Sequence, residues 1–101
     1  MKKILLACAA GMSTSLLVTK MQQAAKNKGI EIEITAVPVD AFADKVKDYH
    51  IALLGPQVRF KKDQFEKIAA QYGVKVLVIN SVDYGLMKGE KILEETLKVL
   101  G

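Results

Sequence analysis

The sequence predicts an α/β fold: an open four-stranded parallel sheet of order 2-1-3-4, three layers deep, with helices on both faces. Two short runs, Lys3 to Ala7 and Ile51 to Leu54, are almost continuously apolar, as strands buried on both faces are. Glu31 to Val37 instead alternates polar and apolar residues, the pattern of a strand with one wet face. The segments between them carry apolar residues at helical spacing, and strands alternating with helices go with a parallel sheet.

Taken in order, the first strand runs from Lys3 to Ala7. A helix follows from Ser13 to about Lys28, with Leu17, Met21, Ala24 and Ala25 on one face, and Gly29 is placed to cap it in the left-handed conformation. The second strand, Glu31 to Val37, ends at Pro38, and Asp40 is expected to cap a short helix reaching Val46. The third strand, Ile51 to Leu54, stops at Gly55-Pro56. Phe65, Ile68, Ala69 and Tyr72 form the next helical stripe, closed by Gly73. Val74 to Ile79 is the fourth strand, with Lys75 suggesting an edge. A loop from Asn80 to Gly89 leads to a last helix carrying Ile92, Leu93, Thr96, Leu97 and Leu100.

Edge signals on strands two and four, and continuous apolarity in one and three, yield the order 2-1-3-4 with right-handed crossovers. This is a flavodoxin-like sheet. Ligands of such sheets sit beyond the carboxyl ends of the strands at the switch point, here between the loops that begin at Cys8 and Gly55.

Composition narrows the function. At 101 residues and half hydrophobic, the chain is expected to be a single domain over 1–101 with an adequate core. One cysteine forms no internal disulfide, and one cysteine with one histidine makes no zinc site, so neither metal nor cofactor is expected. The apolar run after Lys3 ends at Ala10, far below the roughly 20 residues of a membrane span, and no signal-type cleavage region follows. A reducing, cytoplasmic setting is the expectation. The net charge of +4 comes from dispersed lysines without a basic run or interleaved aromatics, so no nucleic-acid partner is expected. With helices covering the sheet and no apolar stripe left over, the chain is expected to be a monomer.

The chemistry concentrates in Cys8-Ala9-Ala10-Gly11-Met12-Ser13-Thr14-Ser15. This segment leaves a buried strand and enters a helix within a few residues. Small residues and Gly11 let the backbone curl so that N–H groups form an anion nest. The helix behind adds unpaired N–H groups and its positive dipole end, and three hydroxyls can donate to phosphate oxygens. A cysteine in such a field ionises more readily and becomes a nucleophile beside a phosphate cradle. The bland alternative, a small core cysteine, is weakened by the position at the carboxyl end of the strand.

The run from Cys8 to Met21, Cys-Ala-Ala-Gly-Met-Ser-Thr-Ser-Leu-Leu-Val-Thr-Lys-Met, resembles the active-site segment of IIB components of bacterial sugar phosphotransferase systems, lactose/cellobiose (chitobiose) type. Leu53-Leu54-Gly55-Pro56-Gln57 and Asp83-Tyr84-Gly85 resemble that family too, so the likeness spans nearly the whole chain. It implies a relay in which a phosphohistidine of a IIA protein loads Cys8, and the phosphoryl group passes to a sugar held by the membrane IIC component. A β-linked disaccharide is the analogy. By the same resemblance Cys8 is the carrier and Ala9, Ala10, Gly11, Met12, Ser13, Thr14 and Ser15 are its phosphate loop. Gly55, Pro56 and Gln57 are candidates for the neighbouring wall and partner-facing loop, and Tyr84 for the rim. Arg59 follows that loop; a surface residue is its default, and a partner or phosphoryl contact the sharper alternative.

A low-molecular-weight-type cysteine phosphatase would place arginine where Thr14 stands, and threonine offers no bidentate clamp on the transition state. Asp83 is the one proposable general acid, without the Asp-Pro context of those enzymes. A non-enzymatic flavodoxin-like module fares no better. A flavin wants aromatic walls that a chain without Trp and with six aromatic residues supplies poorly, and a receiver domain needs acids at strand ends where Leu6 and Ala7 stand. His50 opens the third strand, at the end opposite Cys8, and reads as an exposed or core-edge residue rather than a phosphocarrier.

Overall fold

A computed structural model describes residues 1–8 and 11–100, with residues 11–14 described by their backbone alone. β1 (Lys2–Cys8) lies between β2 (Ile32–Pro38) and β3 (Ile51–Leu54), and β4 (Lys75–Val78) completes the sheet beside β3. Every pairing is parallel, with Ile4 opposite both Ile34 and Ile51, and Leu53 opposite Leu77. The order is 2-1-3-4, as the polarity of the strands predicts.

Among the described residues, α1 (Gly11–Asn27), α2 (Phe42–Lys45) and α3 (Lys62–Ala70) connect the strands, and α4 (Ser81–Gly85) and α5 (Gly89–Leu100) follow β4. Short 3-10 turns flank α2, and one at Pro56–Lys61 precedes α3. Because successive strand residues face opposite sides, the two central strands feed two separate cores. Ile4, Leu6, Ile51 and Leu53 pack with Leu17, Met21, Ile92 and Leu93 beneath α1 and α5. Leu5, Ala7, Ala52 and Leu54 pack on the other face with Phe42, Val46, Phe65 and Ala69. There the rings of Phe42 and Phe65 stack 4.1 Å apart.

Helix stops follow the glycines. Gly29 and Gly73 have φ of 70° and 69°, the left-handed conformation that a side chain would strain. At Gly29, Ile30 N–H donates to the Ala25 carbonyl at 2.9 Å and Gly29 N–H to the Lys26 carbonyl at 3.1 Å, pairing two carbonyls of the last turn of α1. At the amino end of the sheet, His50 N–H donates to the Lys3 carbonyl (2.8 Å) and its Nδ1 accepts from Lys3 N–H (2.9 Å), a structural role far from Cys8.

Four local expectations are corrected. α1 begins at Gly11 rather than Ser13. Asp40 caps nothing: it lies inside the 3-10 turn Val39–Ala41, and α2 starts at Phe42 with no side-chain cap. α3 ends at Ala70, so Tyr72 falls in the turn before Gly73 and is half exposed instead of joining the core stripe. Residues 80–89 are not a plain loop, because α4 forms at Ser81–Gly85. Asn80 drives it: its Oδ1 accepts from Val82 N–H (2.8 Å) and Asp83 N–H (3.2 Å), pairing two donors that a helix start leaves free.

Candidate functional site

Cys8 is the last residue of β1 and α1 starts three residues later. Ala9 and Ala10 lie outside the described residues. Gly11, Met12, Ser13, Thr14 and Ser15 form the opening of α1, so most of the predicted phosphate loop is helix N-terminus. A first helical turn has N–H groups that the helix itself does not pair, the kind of donor an anion accepts from. That turn holds no acidic residue to offset its positive end. Ser15 is exposed, and its carbonyl accepts from the Thr19 hydroxyl at 3.1 Å.

Cys8 is 2% exposed, so its sulfur lies below the surface. Alternation puts its side chain on the face of Ile4 and Leu6, beneath α1. Gly55 continues β3 one residue past Leu54, which is paired with Ala7, and therefore sits beside Cys8. Gly55 N–H donates to the Ala7 carbonyl at 2.9 Å, locking this register. With φ −61° and ψ 149°, Gly55 has a backbone that any residue adopts. Its lack of a side chain matters for another reason: a Cβ there would lie 3.0 Å from Cys8 Cβ and 2.7 Å from Gln57 Oε1.

The predicted wall thus divides. Gly55 is brought against Cys8, and Gln57 Oε1 against Gly55. Pro56 is buried as the first residue of the 3-10 turn, where its missing N–H costs nothing. Arg59 is exposed on that turn. Tyr84, expected at the rim, is 6% exposed and packs in the core beneath α1. Asp83 is also buried, 3.3 Å from Lys91 Nζ, so the carboxylate a phosphatase would need as its acid is committed to an ion pair.

Sequence reasoning passed over a ring of exposed apolar side chains. Leu16 on α1, Phe60 on the 3-10 turn, and Val82 and Leu86 by α4 are each at least half exposed, and all four follow the carboxyl ends of strands. A helical stripe marks what is buried, and these residues belong to none. A cavity of about 290 Å³ between β4 and α5, lined in part by Ile79, Asn80, Asp83 and Thr96, includes none of the predicted site residues. Among the described residues no cluster of His, Cys, Asp and Glu could hold a metal ion, and no helix is long and apolar enough to cross a membrane.

Comparison with known proteins bears on this geometry. The family described as "PTS system, Lactose/Cellobiose specific IIB subunit" matches residues 3–95. This chain belongs to that family. As a IIB component of the phosphotransferase system it is a phosphoryl carrier in sugar transport. The oligo-beta-mannoside-specific EIIB component of Bacillus subtilis is 46% identical over 100 residues, 99% of this chain and 97% of that one. Cellobiose-specific and galactose-specific EIIB components of Lactococcus lactis are likewise 46% identical, over 91% of this chain and 90% of theirs. The lactose-specific IIB domain of Streptococcus pneumoniae superposes with a TM-score of 0.86 at 22% identity, covering 96% of this chain and 95% of that domain, and so shares the fold. IIB domains also occur inside larger chains: the lactose-specific EIICB component of Lacticaseibacillus casei matches at 27% identity over 80% of this chain and 14% of its own length.

Proposed function

We propose that Cys8 is the atom-level carrier of this IIB domain, loaded by a phosphohistidine of a IIA protein and unloaded onto a sugar held by a membrane IIC component. In loading, Sγ attacks phosphorus in line; the S–P bond forms as the N–P bond breaks, and the imidazole nitrogen that takes back its electron pair also takes the thiol proton. In unloading, a sugar hydroxyl oxygen attacks phosphorus and the S–P pair returns to Sγ, while the hydroxyl proton leaves to a base on the acceptor side. Both steps spread negative charge over three equatorial oxygens, which the amino end of α1 is suited to receive.

One observation carries the reading: the only cysteine of a IIB family member ends β1 directly ahead of the unneutralised N-terminus of α1. Ala9 to Ser15 supply the phosphate-binding groups in this reading. The domain works at the inner face of the membrane as a monomer, reached by IIA and IIC in turn at the carboxyl end of the sheet. Relatives of equal identity bear oligo-beta-mannoside, cellobiose and galactose in their names. The choice of sugar therefore falls to IIC, and a β-linked saccharide, which two of those names share, is the acceptor we assign.

The test is incubation with phosphoenolpyruvate, the general phosphotransferase proteins and a IIA of this type, followed by intact-mass spectrometry. Wild type should gain one phosphoryl group and Cys8→Ser none. An unmodified wild type that turns over an aryl phosphate would favour hydrolysis instead.

A further inference from the structure

We propose that Gln57 is a phosphoryl-contacting residue: its side-chain amide donates a hydrogen bond to the phosphoryl group on Cys8, in a space that the absent side chain of Gly55 leaves for it. The inference rests on Cys8 being the carrier and adds a group that neither the cysteine nor α1 provides.

Gly55 is a glycine whose backbone does not need glycine. At φ −61°, Gly55 could be alanine without torsional strain, so the constraint is space. One point beside it, where a Cβ would stand, is 3.0 Å from Cys8 Cβ and 2.7 Å from Gln57 Oε1. The Gln57 carboxamide is therefore folded back over Gly55 and ends beside Cys8. Its backbone is held there on both sides, because Pro56 opens the 3-10 turn and Val58 N–H donates to the Gly55 carbonyl at 3.1 Å. Gln57 itself is exposed, whereas Cys8, on the other side of the Gly55 Cβ position, is buried.

A carboxamide in that position has two N–H donors and one acceptor. Its terminal torsion is soft, so a phosphoryl oxygen arriving on Sγ turns Nε2 towards itself. The chemistry also suits a carrier. A neutral donor holds the equatorial oxygens more weakly than a guanidinium, so the group is bound in transfer yet released to the next acceptor.

The experiment follows Gln57→Glu and Gln57→Met beside wild type. Single-turnover loading from phosphorylated IIA is measured over a range of donor concentrations, together with the lifetime of the isolated phospho-protein and its amide NMR spectrum. Glutamate keeps the shape but sets a charge against the phosphoryl oxygens; methionine keeps the length but donates nothing. Both should lower the maximal loading rate about ten- to a hundredfold, the size of a lost hydrogen bond to a charged group, with glutamate the worse. Both should shorten the phospho-protein lifetime. In wild type the side-chain NH₂ signals of Gln57, assigned by their loss in Gln57→Met, should move on phosphorylation. Wild-type maximal rates and an unmoved amide would overturn the proposal, as would a change confined to the donor concentration at half-maximal rate, which marks a partner contact. A wild type that accepts no phosphoryl group would instead remove the carrier reading and this inference with it.

Discussion

Lys91 Nζ lies 3.3 Å from Asp83 Oδ1, a half-exposed ammonium reaching over a carboxylate whose side chain is only 7% exposed. The pair ties α4 to α5 at the carboxyl end of the sheet, the end that carries Cys8. Its two members are unequal. Removing Lys91 strands a buried charge, while replacing Asp83 by asparagine removes the charge that needs a partner. Lys91→Ala should cost about 1–2 kcal/mol and Asp83→Asn less, a ranking that urea unfolding of the two variants will check. The reverse ranking would mean that the ammonium adds little.

Asn80 makes α4 possible by pairing Val82 and Asp83 N–H groups. Asn80→Ala should lower stability by about 1 kcal/mol, and Asn80→Ser by less, as for other helix caps. Hydrogen exchange at Val82 and Asp83 should accelerate more than exchange in β1. Uniform acceleration would instead indicate global unfolding.

Gly55 and Gly85 offer a paired test. A Cβ at Gly55 meets Cys8 and Gln57, whereas nothing lies within 4 Å of one at Gly85. Gly55→Ala should therefore slow phosphoryl loading by at least about tenfold and destabilise by about 1–3 kcal/mol as the cysteine and the amide are pushed aside. Gly85→Ala should leave loading intact and stabilise by up to about 1 kcal/mol through helix propensity. Equal loading rates for the two variants would contradict the close approach at Cys8.

Gly89 begins α5 against the backbone of α1, where a Cβ would stand 2.8 Å from the Lys20 carbonyl carbon and 2.9 Å from Met21 N. Backbone cannot rotate away as a side chain can, so Gly89→Ala should force the helices apart. We expect a loss of about 2–3 kcal/mol, read from the denaturation midpoint, the upper range for overpacking. A loss below about 0.5 kcal/mol, typical of surface changes, would show that α5 shifts freely on α1.

On the other face, Phe42 is fully buried and stacked on Phe65. Phe42→Ala should cost about 3–5 kcal/mol. Phosphoryl loading of whatever remains folded should stay near wild type, because this core lies across the sheet from the Cys8 side chain. A collapse of loading in folded protein would reveal coupling between the two faces.

Much of the architecture was legible in the chain. Apolar continuity in Ile4 to Ala7 and Ile51 to Leu54 marked the central strands, since only residues buried on both faces escape alternation. Gly29 and Gly73 marked helix stops because glycine takes their positive φ without strain. Cys8 stood out for its place between a buried strand and small, hydroxyl-bearing residues. α4 was missed because five residues are too few to show a stripe, and its two buried members, Asp83 and Tyr84, are adjacent rather than helically spaced. Tyr84 was misplaced at the rim for the same reason: a tyrosine after a strand reads as surface until α4 is seen to turn it into the core shared with α1 and α5.

The sequence by itself determined the layers and the strand order, because those follow from which side chains avoid water, and it singled out Cys8 as the one thiol at a strand end. Tertiary structure alone decided what surrounds that residue. Gly55 meets Cys8 only because β3 pairs beside β1 in one register, Gln57 Oε1 comes back to Gly55 only because a 3-10 turn folds the chain, and Asp83 meets Lys91 only because α4 packs on α5. Such contacts depend on distances between elements far apart in the chain, and local patterns of polarity carry no information about those distances.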